Sequence, residues 1–370
     1  MIPQEEYMEN VARMNLNRFM EQGYATPGHN GPHGHKDTPV RNTAHYLVIY
    51  SYLYKKYKEE QFERICSLFY AYLKECQART KSGAIQCMIT DRFDHLNGLI
   101  GQGWVIESLI YYYETFQVEE ALDIAKKIFF SQKYNWEKHL WHRIELDGID
   151  IGIDVTSNHN VWFAGCSYKL ADYCKEPEID AIIQDFLIHG QHIILNTYTN
   201  GLMVHPLVCK DPQFEKGKWK RIVRMILSPI KFLNPRKLDR HYMEYAYHIY
   251  DMYGYSLLKA KYNDLPLFSS NEYKKAMIFA RDIQTLLKLN YTDNPSKMNV
   301  YFYPYNTPAF EWPFVAWVNG FYNEKIQDLL WSVQQKLMLD EVNGIMSRNN
   351  PDIETWNART YEIIRFIENQ

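Results

Sequence analysis

The chain has 370 residues, 46% hydrophobic and 23% charged, enough for one large globular domain or two ordinary ones. A net charge of −3 excludes the broad positive field that nucleic-acid binding requires, so no nucleic-acid partner is expected. No run approaches 18 apolar residues, and the opening Met-Ile-Pro-Gln-Glu-Glu-Tyr has neither a basic nor an apolar leader segment, so the expectation is a cytoplasmic protein without a membrane span or signal peptide.

In chain order, periodic apolar residues predict helices near 4–22, 43–58, 60–77, 98–116, 119–132, 160–174, 178–194, 242–261, 272–288, 309–319, 323–338 and 356–368. Links as short as Gln117-Val118 and Lys175-Glu176-Pro177 make neighbouring helices antiparallel hairpins. About six such hairpins imply an all-α fold, an (α/α)6 toroid occupying 1–370 as a single domain. An open solenoid is the alternative, and the lack of a fixed sequence period weakens it. The six cysteines form no CxxC and no regular framework, so reduced thiols are expected.

Three polar interruptions break the helical pattern. The first, 24–42, holds His29, His33, His35 and Asp37 and ends in Arg41-Asn42, with His45 one turn later. Histidine and aspartate could bind a metal, but the spacing matches no metal motif, and no metal or cofactor is expected. Gly and Pro instead suggest a turn-rich rim from which Arg41, Asn42 and His45 enter the ring, with the Arg41 fork suited to a carboxylate. The second, 133–157, alternates around Asp147-Gly148 and predicts a β-hairpin. The third, 196–241, reads as a long insertion containing Leu202-Met-Val-His205-Pro. Its basic and apolar segment, 216–233, could touch an anionic membrane surface or form a partly buried insertion.

The hairpin leads into Asp154-Val-Thr-Ser157-Asn158-His159-Asn160-Val-Trp162. A helix starting here places its free N–H groups beside Asn158 and His159. Abstraction of a proton next to a carboxylate needs a base together with donors that neutralise the carboxylate. The simpler alternative is a helix cap beside a surface histidine. Asn97-Gly98 opens another helix, with Asn97 as cap and Gln102 and Trp104 as sugar-binding candidates. Further on, Arg240, Glu244, Tyr247 and His248 fall at i, i+4, i+7 and i+8 of one helix face. A tyrosine beside an arginine can protonate a leaving oxygen, whereas an exposed ion pair beside a packed ring would produce the same spacing. The run Tyr301–Pro313, with Tyr305 and Glu311, reads as an aromatic wall. With 30 Tyr and 9 Trp, rings for stacking on sugar faces are abundant, though an aromatic helical core would use them equally.

Ser157-Asn158-His159-Asn160-Val-Trp162, with Arg240, Tyr247 and His248, resembles the Asn-His motif and the later Arg…Tyr-His of alginate lyases with an (α/α)6-type fold. That resemblance implies that Asn158 neutralises a substrate carboxylate and that His159 and Tyr247 act as base and acid, with Arg240 supporting the tyrosine or the carboxylate. Thr38–His45, Asn97–Trp104 and Tyr303–Glu311 resemble a poorly characterised family of polysaccharide-biosynthesis and archaeal glycosylation-cluster proteins. This wider likeness implies a carbohydrate role, on an oligosaccharide or polysaccharide that could be lipid-linked or free, without fixing the reaction; the expected location is cytoplasmic, with the inner face of the membrane as one possibility. The alginate lyases' secretion signal and their Asn before the Asn-His pair are both missing, which argues against secreted polymer degradation.

The reading is therefore a uronate-directed enzyme that abstracts the C5 proton, giving β-elimination or C5-epimerisation. His159, Tyr247, Asn158 and Arg240 are the catalytic candidates. Arg41, Asn42, His45, Gln102, Trp104, Asp154, Trp162, Glu244, His248, Tyr305 and Glu311 are the substrate-binding candidates. A glycoside hydrolase with Asp154 paired to Glu244, Glu311 or Asp37 is the alternative. A non-catalytic glycan-binding protein is the third possibility.

Overall fold

The computed structural model describes residues 2–91, 94–189, 195–204, 241–292, 294 and 297–370. Arg240, His205 and the basic segment 216–233 lie outside the described residues.

Helices set the architecture, and their burial sorts them into two layers. Helices α1 (Gln4–Gln22), α2 (Val40–Tyr57), α3 (Glu60–Ala78), α4 (Gly98–Phe116), α5 (Glu119–Ser131), α6 (Ser157–Cys174) and α7 (Pro177–His189) come first. They are followed by α8 (Tyr242–Tyr262), α9 (Asn271–Arg281), α10 (Ile283–Asn290), α11 (Pro308–Val318), α12 (Glu324–Met338) and α13 (Ile353–Ala358). On α3 the buried positions include Phe62, Ile65, Cys66, Phe69, Tyr70 and Leu73, the single apolar stripe of an outer helix. On α2 every residue from Val40 to Leu53 is buried, and on α4 every residue from Gly98 to Tyr112. Helices buried on all sides must be covered by other helices.

The contacts close into a circle. α2 packs on α4, α4 on α6, α6 on α8, α8 on α11, α11 on the segment after α13, and that segment back on α2. The other helices lie outside this inner ring, and the expected (α/α)6 toroid is the fold. Inner helices approach closely at glycines: a Cβ on Gly254 of α8 would sit 2.9 Å from Val161 Cγ1 of α6. The ring is stitched across the chain's two ends, where Tyr7 Oη donates to Asn357 Oδ1 at 2.7 Å and Arg18 pairs with Glu354 at 2.9 Å.

The hairpin expected around Asp147-Gly148 is present. Strands β1 (Tyr134–Asn135), β2 (Leu140–Ile144) and β3 (Asp150–Ile153) form an antiparallel sheet. Two predicted helices are broken. The 272–288 stretch divides at Asp282, whose carboxylate accepts from Thr285 N and so caps α10. The 356–368 stretch becomes α13, a 3-10 turn over Arg359–Ile363 and a final turn, Ile364–Ile367. The tighter turn brings Arg359 and Glu362, three apart, onto one side. Among the described residues Cys66, Cys76, Cys87, Cys166 and Cys174 are free thiols, and no helix is long and apolar enough to cross a membrane.

Candidate active site

A cavity of about 350 Å³ lies where the first turns of α4 and α6 meet the N-terminal half of α8. Trp104, Asn158, His159, Tyr247 and Tyr305 line it, together with Asn30, His33, Asp94 and Asn97. Helix N-termini carry partial positive charge, and here part of it is met by the Asp94 and Asp154 carboxylates, which accept from Gly98 N and Thr156 N.

One side is built by the β-hairpin. β3 ends at Ile153, and the next residue, Asp154, is 1% exposed. Its backbone carbonyl accepts from Asn160 Nδ2 at 2.8 Å and its Oδ1 from Thr156 N at 3.0 Å. These bonds fix the turn, and one helical turn on, His159 Nδ1 lies 2.8 Å from Asp154 Oδ2. An ionised carboxylate can only accept, so in the neutral imidazole Nδ1 carries the proton and Nε2 the lone pair, and Nε2 has no partner among the described residues. Burial opposes charge on this imidazole, but Asp154's charge and hydrogen bond, aided by Asp94, hold its pKa above the ordinary 6.5. Burial likewise opposes charge on Asp154, but His159 holds it below the usual carboxylate range. Asn158 is 4% exposed, and its Oδ1 has no partner among the described residues. A buried amide oxygen of this kind awaits a donor from a ligand or water.

The other group comes from distant segments. Tyr247 Oη lies 2.9 Å from His33 Nε2. Burial, and Tyr305 beside it, push the Tyr247 phenol well above 10, so it stays protonated. Tyr305 Oη donates to Asn30 Oδ1 at 2.6 Å, and the same oxygen accepts from Arg41 Nη1 at 2.9 Å. The 28–37 loop carrying His33 is tied down by Asp352, whose Oδ2 accepts from His29 N at 3.0 Å and Gly31 N at 2.9 Å.

Several candidate residues lie elsewhere. Arg41 is 1% exposed beneath the loop, bonded to Asn30 and Asp37 and stacked 4.4 Å from the Trp104 ring, so it braces the cavity from behind. Burial raises Asp37 to about 6 even against the Arg41 charge. Asn42 Nδ2 donates to Thr26 O, and His45 stacks on Tyr361 at 4.5 Å. Gln102 is fully buried and clamps both backbone groups of Ile85, at 2.9 and 2.8 Å. Trp162 is fully buried, donates to Tyr250 O and stacks on Tyr253.

Tyr247 and His248 do not share a face, because adjacent helical residues point about 100° apart. His248 instead bonds Met203 N and Ala276 O, and burial lowers its pKa to about 4. Glu244, one turn before His248, accepts from Tyr198 and pairs with His241 on that same side. Glu311 is fully buried against Arg359, and burial together with Glu362 raises its pKa. Asn97 occupies the position before α4 but does not cap it, since the Gly98 N–H donates to Asp94 Oδ1 at 2.7 Å.

His33, Asp94 and Asn30 were absent from the site expected from sequence. His33 and Asn30 stood in the polar 24–42 loop and Asp94 in none of the interruptions singled out, and nothing local ties them to Tyr247 or His159. Asp94 lines the cavity, and burial raises its pKa despite the charges of His159 and Arg143.

No protein-family model matches the chain. Archaeal glycosylation protein Q of Haloferax volcanii is 27% identical over 368 residues, covering 97% of this chain and 96% of that protein. The structure of cellobiose 2-epimerase from Bacillus thermoamylovorans B4167 superposes with a TM-score of 0.62 at 14% identity, over 98% of this chain and 99% of that one. Unsaturated glucuronyl hydrolase from Bacillus sp. GL1 superposes at 0.63 and 10% identity, over 100% and 97%. D-mannose isomerase superposes at 0.58 and 11%, over 98% of each. The chain is a homologue of archaeal glycosylation protein Q along nearly its whole length, folded as an (α/α)6 toroid.

Proposed function

We propose that this protein is a carbohydrate-active enzyme that abstracts the C5 proton of a uronic-acid residue in a glycan. The observation carrying this reading is the Asp154–His159 pair, which offers a basic Nε2 to a cavity also lined by the Tyr247 hydroxyl. In this reading His159 Nε2 takes the C5 proton. The electron pair spreads onto the substrate carboxylate, where the Asn158 amide and the α6 N-terminus offset the growing charge. Tyr247 then gives its proton to the glycosidic oxygen, the C4–O bond breaks and an unsaturated uronate forms. A proton delivered instead to the opposite face of C5 gives the epimer. His33 restores the tyrosine proton. The relative's name supports a glycan substrate in a glycosylation process, and the epimerases, isomerase and hydrolase on this fold support sugar chemistry.

The test is absorbance of the unsaturated uronate on incubation with uronate oligosaccharides, free and lipid-linked, with deuterium uptake at C5 measured in parallel. His159→Ala should abolish either signal. Neither signal in the wild type, with binding retained, would leave a glycan-binding protein.

One observation favours hydrolysis: the raised carboxyl of Asp94 in the same cavity. Glu244, Glu311 and Asp37, considered as the second carboxylate, do not line it, and Asp154 is committed to His159. New reducing ends without absorbance, lost in Asp94→Asn, would establish that reading.

A further inference from the structure

The described residues lining the cavity include neither arginine nor lysine. A substrate carboxylate would find there an amide, imidazoles and helix N–H groups but no permanent cation. Among the described residues Arg41 and Arg359 approach lining rings but are fully buried and committed to internal partners, whereas a partly exposed candidate comes from the hairpin that also delivers Asp154. Between the pairs His142↔Ile153 and Ile144↔Asp150, β2 advances two residues and β3 three, so Ile151 and Gly152 together face Arg143. Such a bulge re-aims the residue opposite it, and Gly152 takes it up with φ +98°. Arg143 stays about one-third exposed and, among the described residues, makes one loose ion pair, 3.9 Å from Asp94 Oδ2. A guanidinium normally binds a carboxylate by two short parallel bonds. Asp94 turns its other oxygen to Gly98 N and itself lines the cavity, so Arg143 is paired with a cavity-lining carboxylate. The charge of Arg143 also acts on His159 and Asp154.

We propose that Arg143 is the specificity-determining anchor for an anionic sugar, gripping its carboxylate with Asn158 and using Asp94 as a loose counter-ion until the sugar arrives. This rests on the uronate reading above and adds the residue that selects for the acid. Because Asp94 and a substrate carboxylate would then share one guanidinium, binding draws a proton onto Asp94.

The experiment is calorimetric binding of a uronate oligosaccharide and of its carboxyl-reduced counterpart to the full chain and to Arg143→Met and Arg143→Lys. Buffers of different ionisation heat report proton uptake. The expected result is at least tenfold weaker uronate binding in Arg143→Met, partial recovery in Arg143→Lys, no change for the reduced sugar, and proton uptake in the wild type. Equal uronate affinity in wild type and Arg143→Met overturns the anchor, as does equal weakening for both sugars. Wild type that binds no uronate oligosaccharide overturns both the anchor and the uronate reading. Binding without turnover overturns only the reaction, and the variants still judge the anchor. Circular dichroism of each variant separates a lost contact from a lost fold. Should Arg143→Met misfold, Arg143→Lys decides alone: weaker uronate binding with the reduced sugar unaffected supports the anchor, and unchanged binding overturns it.

Discussion

Gly98 is the position where the smallest change should do the most to the site. It opens α4 with φ +58°, and a Cβ there would fall 2.3 Å from His159 Nδ1 and 3.0 Å from Asp154 Oδ2. Gly98→Ala therefore forces an alanine into the left-handed region, at about 1–2 kcal/mol. It also drives a methyl group into the hydrogen bond joining the two residues. In a chain this long the backbone term alone lowers Tm by only about 1–3 °C. Losing a hydrogen bond to a charged group removes about 1.5–3 kcal/mol from whatever depends on it, or about 10- to 150-fold in rate. The expected variant is thus folded, slightly less stable and about 10- to 150-fold slower. The most direct readout is the His159 titration followed by NMR, which needs no substrate. In the wild type the pKa lies above 6.5 because Asp154 outweighs burial. In Gly98→Ala it should fall toward or below 6.5. An unchanged His159 titration would refute the reasoning.

Other outcomes follow from the same geometry. Asp154→Asn should destabilise the protein most between about pH 4 and 6.5. Asp154, with its depressed pKa, contributes above its unfolded value and loses this as pH falls through the folded one. His159, with its raised pKa, contributes below its unfolded value and loses this as pH rises through the folded one. Urea midpoints across pH check this window. Tyr247→Phe removes the hydroxyl facing His33 and should cut turnover by about 100-fold or more while circular dichroism stays unchanged. Arg359 is 2% exposed and holds both Glu311 and Glu362, so Arg359→Met strands two buried carboxylates. It should cost about 3–5 kcal/mol in denaturant unfolding at neutral pH.

Much of the scaffold is legible in the sequence because the signals are local. Apolar periodicity sets α1 through α7, and Asp147-Gly148 sets the hairpin that delivers Asp154. The start of α6 lies three residues earlier than periodicity alone suggests, at Ser157. The site is only partly legible, since its pieces meet across long distances in sequence. His33 and Tyr247 are 214 positions apart, and Arg359 meets Glu311 across 48. Polar residues on inner helices are the other source of misreading. Gln102, Trp162 and Glu311 look like ligand-facing groups in a sequence, but a ring of helices buried on every side needs internal hydrogen-bond partners, and these residues supply them.

The loop bearing His33 is held by Asp352, and α1 is laced to α13, so the first and last portions of the chain are mutual supports. During synthesis the Asp154–His159 pair can assemble while the ribosome is still at work, because its elements are contiguous in sequence. The His33–Tyr247 pair cannot settle until residue 352 has emerged. One of the two proposed proton-transfer groups is therefore in place early and the other only once the circle closes. A nascent or clipped chain would then hold the Asp154–His159 pair without the Tyr247–His33 pair, and on the proposed function it would be inactive.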